Sequence, residues 1–382
     1  MHRKNIVTIC VLTLFFFLQA GCERGEFTWG KKIGDITYSG NAILLGSDEL
    51  KLIKEVTDNE IIFTKKEGAL KNITSKSILV MGVSEKTPYG LLRRVNSLET
   101  NGTDLVISTT DVQLDEAIKE GTIKFQKKLL EKDFKIKSKI EGVLVKGLNK
   151  SFDGLALTME NLEVFNDGTK TAGLNGAIGI SPEIDLTIEI QFNEIKKINI
   201  VTTLNKIDEV ALSSDGAFSG QKEIVAAEFI HSPIIIDSLV FVPEIEIICG
   251  FDGTVSSGVS SGVRQDRTIT SVIDYGNSKW SEDPLTHSES FDFIKPVLTD
   301  NSQLKIYSGP EINIRLFGIP IQVIKATGFY SLEAEKTASP FWRLFIGNDG
   351  QNTIKGEVLG LREDFIQNLS IEALEVGNSN DN

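Results

Sequence analysis

The chain has 382 residues, 41% hydrophobic and 24% charged, which is enough apolar material for a packed core and too much for wholesale disorder. Its 53 Asp and Glu outnumber its 40 Lys and Arg, for a formal net charge of −13. An acid excess of that size repels nucleic acid and anionic headgroups, whose recognition needs clustered bases, so no nucleic-acid partner is expected.

The first 21 residues read as a signal peptide. His2, Arg3 and Lys4 make a short positive start, and Ile6–Leu18 is uncharged and mostly apolar. A helix of about 13 residues rises only about 20 Å, short of a hydrocarbon core of about 30 Å, so a secretory leader fits better than a membrane span. Ala20, Gly21 and Cys22 then resemble the lipobox of bacterial lipoproteins, where small residues precede a cysteine that is diacylated and becomes the new N-terminus. Gln19 departs from that pattern, because the usual leucine stands one place early at Leu18. The resemblance implies a diacylglycerol and palmitate anchor at Cys22, a polar tether over residues 22–26, and a lipid bilayer as first partner. Glu23, in place of a retention aspartate, points to the outer membrane. The alternative is an ordinary leader cut after Ala20 or Gly21, with Cys22 an N-terminal thiol. Cys249 is the one cysteine beyond this region, so no disulfide framework is expected and packing must supply the stability.

Residues 27–126 read as a small β-rich, barrel-like domain. Leu50–Val56 and Ile61–Phe63 flank the turn former Asp58-Asn59 as a hairpin; Ile78–Val83 and Leu91–Leu98 are further strands, and Asn101-Gly102 marks another turn. Asp111 caps an expected helix over Val112–Lys119, which Gly121 ends. Tyr89 stands between Pro88 and Gly90, as a turn residue packed on the sheet or as a candidate ligand contact. Residues 127–150 read as connecting strands.

Residues 151–376 read as a large antiparallel β domain. In Ile184–Phe192 five large apolar residues alternate with polar ones, a period of two that puts the apolar set on one face. Ile245–Phe251 and Ile312–Leu316 repeat the pattern. Asp167-Gly168, Asp215-Gly216, Asp252-Gly253, Gly309-Pro310 and Asp349-Gly350 read as turns, and residues 377–382 as a disordered tail. The fold class expected is mainly β: an antiparallel β-sandwich or open curled sheet, a smaller N-terminal β-barrel-like domain, and one or two short helices. The segments Ile78–Gly82, Pro88–Val95 and Leu114–Ile118, with Tyr307–Pro310, Leu316–Gly318 and Phe341–Leu344, loosely resemble uncharacterised β-rich secreted bacterial proteins. That likeness implies a β fold and no activity.

Chemistry-bearing motifs are sparse. His231 and His287 do not form a metal-spaced pair, the G-x-S-x-G match at residues 258–262 lies in a run that reads as an edge or bulged strand pair rather than a strand-to-helix nucleophile elbow, and Gly173–Gly179 lacks the lysine of a phosphate loop, so no metal and no cofactor are expected. Glu244 and Glu246 share a strand face, as paired catalytic acids do and as any solvated face does. Tyr89, Trp280, Tyr307 and Trp342 are the candidate ligand contacts, with Tyr275 and Tyr330 as further aromatics that could line a sugar or lipid groove; such residues more often fill a sheet edge or core. The expected function is a membrane-anchored, non-enzymatic binding or structural module of the cell envelope, with an envelope protein, glycan or lipid as partner. The alternatives are a lipid carrier with an apolar β groove and a carboxylate-dependent polysaccharide hydrolase.

Overall fold

The alternation at Ile184–Ile190 is a short sample of two strands of 21 residues each, Thr171–Gln191 and Glu194–Ser214, paired antiparallel along nearly their whole length. The protein, seen here as a computed structural model, is described over residues 31–145 and 152–380. The leader, Cys22 and the tether lie outside the described residues. Among the described residues twenty-five strands are numbered in chain order, in three sheets.

The first sheet holds ten strands: β1 (Lys32–Ile33), β2 (Ile36–Tyr38), β9 (Ile118–Lys128), β11 (Val143–Val145), β12 (Leu155–Asn166), β13 (Thr171–Gln191), β14 (Glu194–Ser214), β18 (Val259–Gly276), β19 (Lys279–Glu282) and β20 (Thr286–Val297). The second holds nine: β10 (Phe134–Lys139), β15 (Phe218–His231), β16 (Ile234–Ile236), β17 (Leu239–Val255), β21 (Ser302–Leu316), β22 (Ile319–Ala334), β23 (Trp342–Ile354), β24 (Phe365–Asn368) and β25 (Ile371–Asn378). The chain crosses between these sheets after β9, β10, β14, β17 and β20, and their inner faces share one core. This is the expected sandwich. Ile184, Leu186, Ile188 and Ile190 from one sheet, and Ile245, Ile247, Ile312 and Ile314 from the other, are at most 2% exposed. Each such side chain contributes about 1.5–3 kcal/mol before entropy is subtracted.

The third sheet has six strands in the order β3 (Ala42–Leu45), β6 (Ile78–Met81), β7 (Leu91–Asn101), β8 (Asp104–Asp111), β5 (Glu60–Phe63) and β4 (Ile53–Val56), with β3 and β6 parallel. It is an open sheet, not the barrel expected from sequence, because β3 and β4 form free edges rather than pairing with each other. Leu79 and Met81 face its own core with Ile61, Phe63 and Ile107, while Ile78 and Val80 join the sandwich core. Burial on both faces explains the unbroken apolar run Ile78–Met81.

The strand map also moves several boundaries. Residues 32–38 and 118–128 belong to the ten-stranded sheet, so the small unit proper starts at β3 and ends with β8. The helix expected over Val112–Lys119 is a single turn, Leu114–Ala117; from Ile118 the chain becomes β9, whose pairing with β13 outweighs local helix preference. Asp252-Gly253, Gly309-Pro310 and Asp349-Gly350 lie inside strands, not at turns. Gly253 shows why a strand needs glycine there, since a Cβ would lie 2.0 Å from Gln303 O on the neighbouring strand. Gly377 and Asn378, placed in the tail from sequence, pair with Leu344 and Arg343. Phe192 is 77% exposed rather than on the buried face, because Phe192-Asn193 (φ 56° and 58°) form the tight turn between β13 and β14.

Candidate functional site

Two hairpin tips and two short segments converge to form an open cleft of about 780 Å³. The β13–β14 tip contributes Glu194 and Ile195, the β18–β19 tip contributes Tyr275 and Trp280, the turn Leu114–Ala117 contributes Asp115, and residues 360–365 close the far side. Both tips are two-residue turns with left-handed backbone, Phe192-Asn193 and Asn277-Ser278 (φ 52° and 59°). Such turns match the twist of long strands, so the tips are fixed by the sheet that carries them. Asn193 locks the first tip in place: its side-chain amide donates to Ser39 Oγ at 2.7 Å, Asp115 O at 3.0 Å and Ile118 O at 3.2 Å.

One wall is aromatic. Trp280 stacks on Phe365 with centroids 5.2 Å apart and planes at 21°, and meets Tyr275 at 5.0 Å and 60°. The three rings form a row across the seam between the sheets, since Tyr275 and Trp280 belong to the first and Phe365 to the second. The rest of the lining is mixed: Asp115, Glu194, Glu363, Asp364, Lys279 and Arg362 are charged, while Ile195 and Leu361 are apolar. Asp364 is paired with Lys355 at 2.8 Å, and Glu194 with Lys196.

Asp115 is the unusual acid. Its carboxyl lies against Gly360, where an added Cβ would fall 2.1 Å from Cγ, and Gly360 holds φ at 100°. Oδ1 is shut from solvent and has no hydrogen-bond partner. Burial, then the charges of Glu116 and Glu194, push its pKa up to about 6, partly offset by the N–H groups of Glu116 and Asp115 itself. Glu194 is moved the other way, since Lys196 holds its carboxyl below the usual range.

Of the aromatics singled out from sequence, Tyr275 and Trp280 line this cleft, while Tyr330 is buried with its hydroxyl donating to Ser261 O at 3.1 Å. Tyr89 instead joins the small sheet to the sandwich, its hydroxyl donating to Glu244 Oε1 at 2.7 Å while Arg315 Nε donates to Glu244 Oε2 at 2.6 Å. Tyr307 lies over Gly250 with its hydroxyl 3.5 Å from Lys222 O, and burial beside Glu223 raises its phenol to about 12. Trp342 is 5% exposed, edge-on to Phe293. Sequence reasoning missed Phe365 and Asp115, which reach the cleft from segments 250 residues apart along the chain. Nothing local marks either.

A second polar constellation lies inside the sandwich. On β14, Lys206 and Asp208 point inward and are 2% and 5% exposed. Lys206 Nζ donates to Asp208 Oδ2 at 2.7 Å, Ser308 O at 2.8 Å and Ala326 O at 3.3 Å, and Ser308 Oγ reaches Asp208 Oδ1 at 3.4 Å. Desolvation pushes Lys206 down and Asp208 up, and their mutual attraction opposes both shifts. Beside them Arg267 binds Glu289 Oε2 at 3.0 Å through Nε and Gly347 O at 3.0 Å through Nη1. Gln322, Asn352 and Ser271 continue the seam, with Gln322 Nε2 3.1 Å from Asn352 Oδ1 and Asn352 Nδ2 3.0 Å from Ser271 Oγ. These groups bind one another and the backbone of the facing sheet, so the seam fixes how the two sheets meet.

Cys249 is buried with its thiol 3.6 Å from Met159 Sδ, and burial raises it to about 12, far from a reactive thiolate. His231 is buried edge-on to Phe134, and His287 is exposed. Among the described residues no three His, Cys, Asp or Glu side chains are arranged to hold a metal ion, and no helix is long and apolar enough to cross a membrane. Comparison of the chain with protein-family models, curated proteins and solved structures finds no match.

Proposed function

We propose that this protein is an extracytoplasmic lipoprotein, held on the outer membrane through Cys22, whose sandwich body is a non-enzymatic binding module of the cell envelope. The lipobox-like Ala20-Gly21-Cys22 supports the anchor. The observation that carries the binding role is the cleft at Trp280, whose volume of about 780 Å³ lies in the range of ligand pockets, roughly 300–1,000 Å³. The apolar strand faces that would have suited a lipid groove pack instead against the facing sheet, and the cleft offers a ligand a mixed polar and aromatic surface. Labelling cells with radioactive palmitate tests the anchor. Label on the wild type that is lost in Cys22→Ser supports it, and an unlabelled, freely released product overturns it.

A second reading has one specific observation behind it. Two acids of the cleft have pKa values pushed apart, Asp115 up and Glu194 down, which is the arrangement of a general acid beside an ionised partner in glycoside hydrolysis. Release of reducing ends from envelope polysaccharide, abolished by Asp115→Asn, would establish that reading in place of the non-enzymatic one.

A further inference from the structure

We infer that the Trp280 cleft binds a neutral glycan, lodged with its ring faces against the Tyr275–Trp280–Phe365 wall and its hydroxyls toward Asp115, Glu194 and Arg362. The inference rests on the binding-module reading and adds the ligand class to it.

Three features of the cleft select this chemistry. A sugar ring is apolar on its C–H faces and polar around its rim, so it needs an aromatic wall beside planar polar groups rather than an apolar pit. The cleft lining combines the two: a row of three rings together with carboxylates and a guanidinium. The charge of the lining suits an uncharged ligand. Four acids, Asp115, Glu194, Glu363 and Asp364, are met by Lys279 and Arg362 in the lining and by Lys355 and Lys196 beside it, so no strong excess of either sign calls for a charged partner. Arg362 is exposed and its guanidinium stays available to hydroxyl oxygens, while Lys355 and Lys196 neutralise Asp364 and Glu194.

The geometry is also fixed before any ligand arrives. Asn193 ties the β13–β14 tip to three oxygens, and Trp280 is held between Phe365 and Tyr275, so the wall needs little ordering on binding. The chain accepts a cost to keep this shape. Phe192, a bulky residue with φ of 56° and 77% exposed, sits at that tip two residues before Glu194. The two-residue turn between β13 and β14 requires that left-handed backbone, which a bulky residue adopts at a cost.

The test is isothermal titration of the full-length protein in detergent micelles with neutral tetrasaccharides of glucose, mannose and N-acetylglucosamine. Saturable heat is expected from at least one of them, with affinity reduced tenfold or more in Trp280→Ala and threefold or more in Arg362→Ala. Arg362 is exposed, so its substitution reads binding even if the tryptophan variant fails to fold. Trp342→Phe, far from the cleft lining, should bind as the wild type does. Silence from all three sugars, or binding that survives both cleft substitutions, overturns the glycan assignment. A photoreactive residue at Lys279 in intact cells separates the two claims. Adducts with envelope material but no titration signal overturn the glycan alone, whereas no adduct and no signal overturn the binding module as well.

Discussion

Asp208 and Asp115 are both carboxylates withdrawn from water, and the protein treats them in opposite ways. Asp208 is buried in the sandwich with Lys206 on one oxygen and Ser308 on the other. Asp115 is half buried at the edge of a cleft with Oδ1 unpartnered. The first arrangement uses its polarity to join two sheets. The second leaves one carboxylate oxygen without a partner at the rim of open volume. Full satisfaction makes the first part of the architecture, whereas the second keeps a raised pKa that the fold does not relieve.

The comparison breaks most sharply at Lys206. Lys206→Ala leaves the Asp208 carboxylate buried with little but Ser308 to face, and unfolding in urea should show a loss of about 3–5 kcal/mol. The double variant Lys206→Met with Asp208→Leu removes both charges together. It should recover most of that loss, because well-packed apolar side chains often match or exceed a buried ion pair. If the single variant unfolds at the wild-type midpoint, the seam is not what holds the sheets in register.

A partly exposed acid with two partners sits between these extremes. Glu244 takes Tyr89 on Oε1 and Arg315 on Oε2. Tyr89→Phe deletes one of the two, and because Arg315 remains the loss should be about 1 kcal/mol. Native-state hydrogen exchange should place that loss in the small sheet, since Tyr89 is its strap to the sandwich. A uniform loss of protection across both sheets would contradict the role given to Tyr89.

The same contrast between saturated and open polar groups decides how much of the molecule is legible in its residues alone. The sandwich is legible because Ile184–Ile190, Ile245–Phe251 and Ile312–Leu316 keep a strict period of two. The polar seam is not, because Lys206 and Asp208 at alternate positions read as a solvated strand face, and only the sheet opposite reverses that. Gly309-Pro310 reads as a turn, although the proline falls opposite Ile247 within a paired strand. The cleft is legible only in Tyr275 and Trp280. Its acid and its third ring come from residues 115 and 365, and no local period or motif ties those two positions together.

Asp115 itself should respond with the opposite sign to Lys206. Its pKa is about 6 in the folded protein against 3.8 for an ordinary aspartate, so between those values the folded state binds more protons than the unfolded state. Stability therefore falls as pH rises from about 4 to about 6, and the penalty is constant above that window. Asp115→Asn should remove this fall and stabilise the protein at pH 7 by up to about 1 kcal/mol, the smaller figure allowing for solvent screening. Thermal melts at pH 4, 5, 6 and 7 measure it. A variant that loses stability at pH 7 would mean that the charged form is satisfied after all.

The weakest effect is expected on the outer face, where three glutamates stand directly opposite one another on adjacent strands. Glu228 of β15 faces Glu246 of β17, which faces Glu311 of β21. Like charges in direct register repel, and the middle acid shows it: burial, then Glu311 and Glu228, raise its pKa. Glu228 has Lys137 at 3.0 Å, which leaves Glu246 between two acids with no base of its own in salt-bridge contact among the described residues. Glu246→Gln keeps the shape and removes the central charge, so it should raise stability by about 0.2–1 kcal/mol at low salt. The gain should shrink in 1 M salt, where the screening length falls to about 3 Å. Equal melting temperatures at low salt would show that solvent already screens this row, and that register alone does not make a surface carboxylate costly in the way that burial does for Asp115.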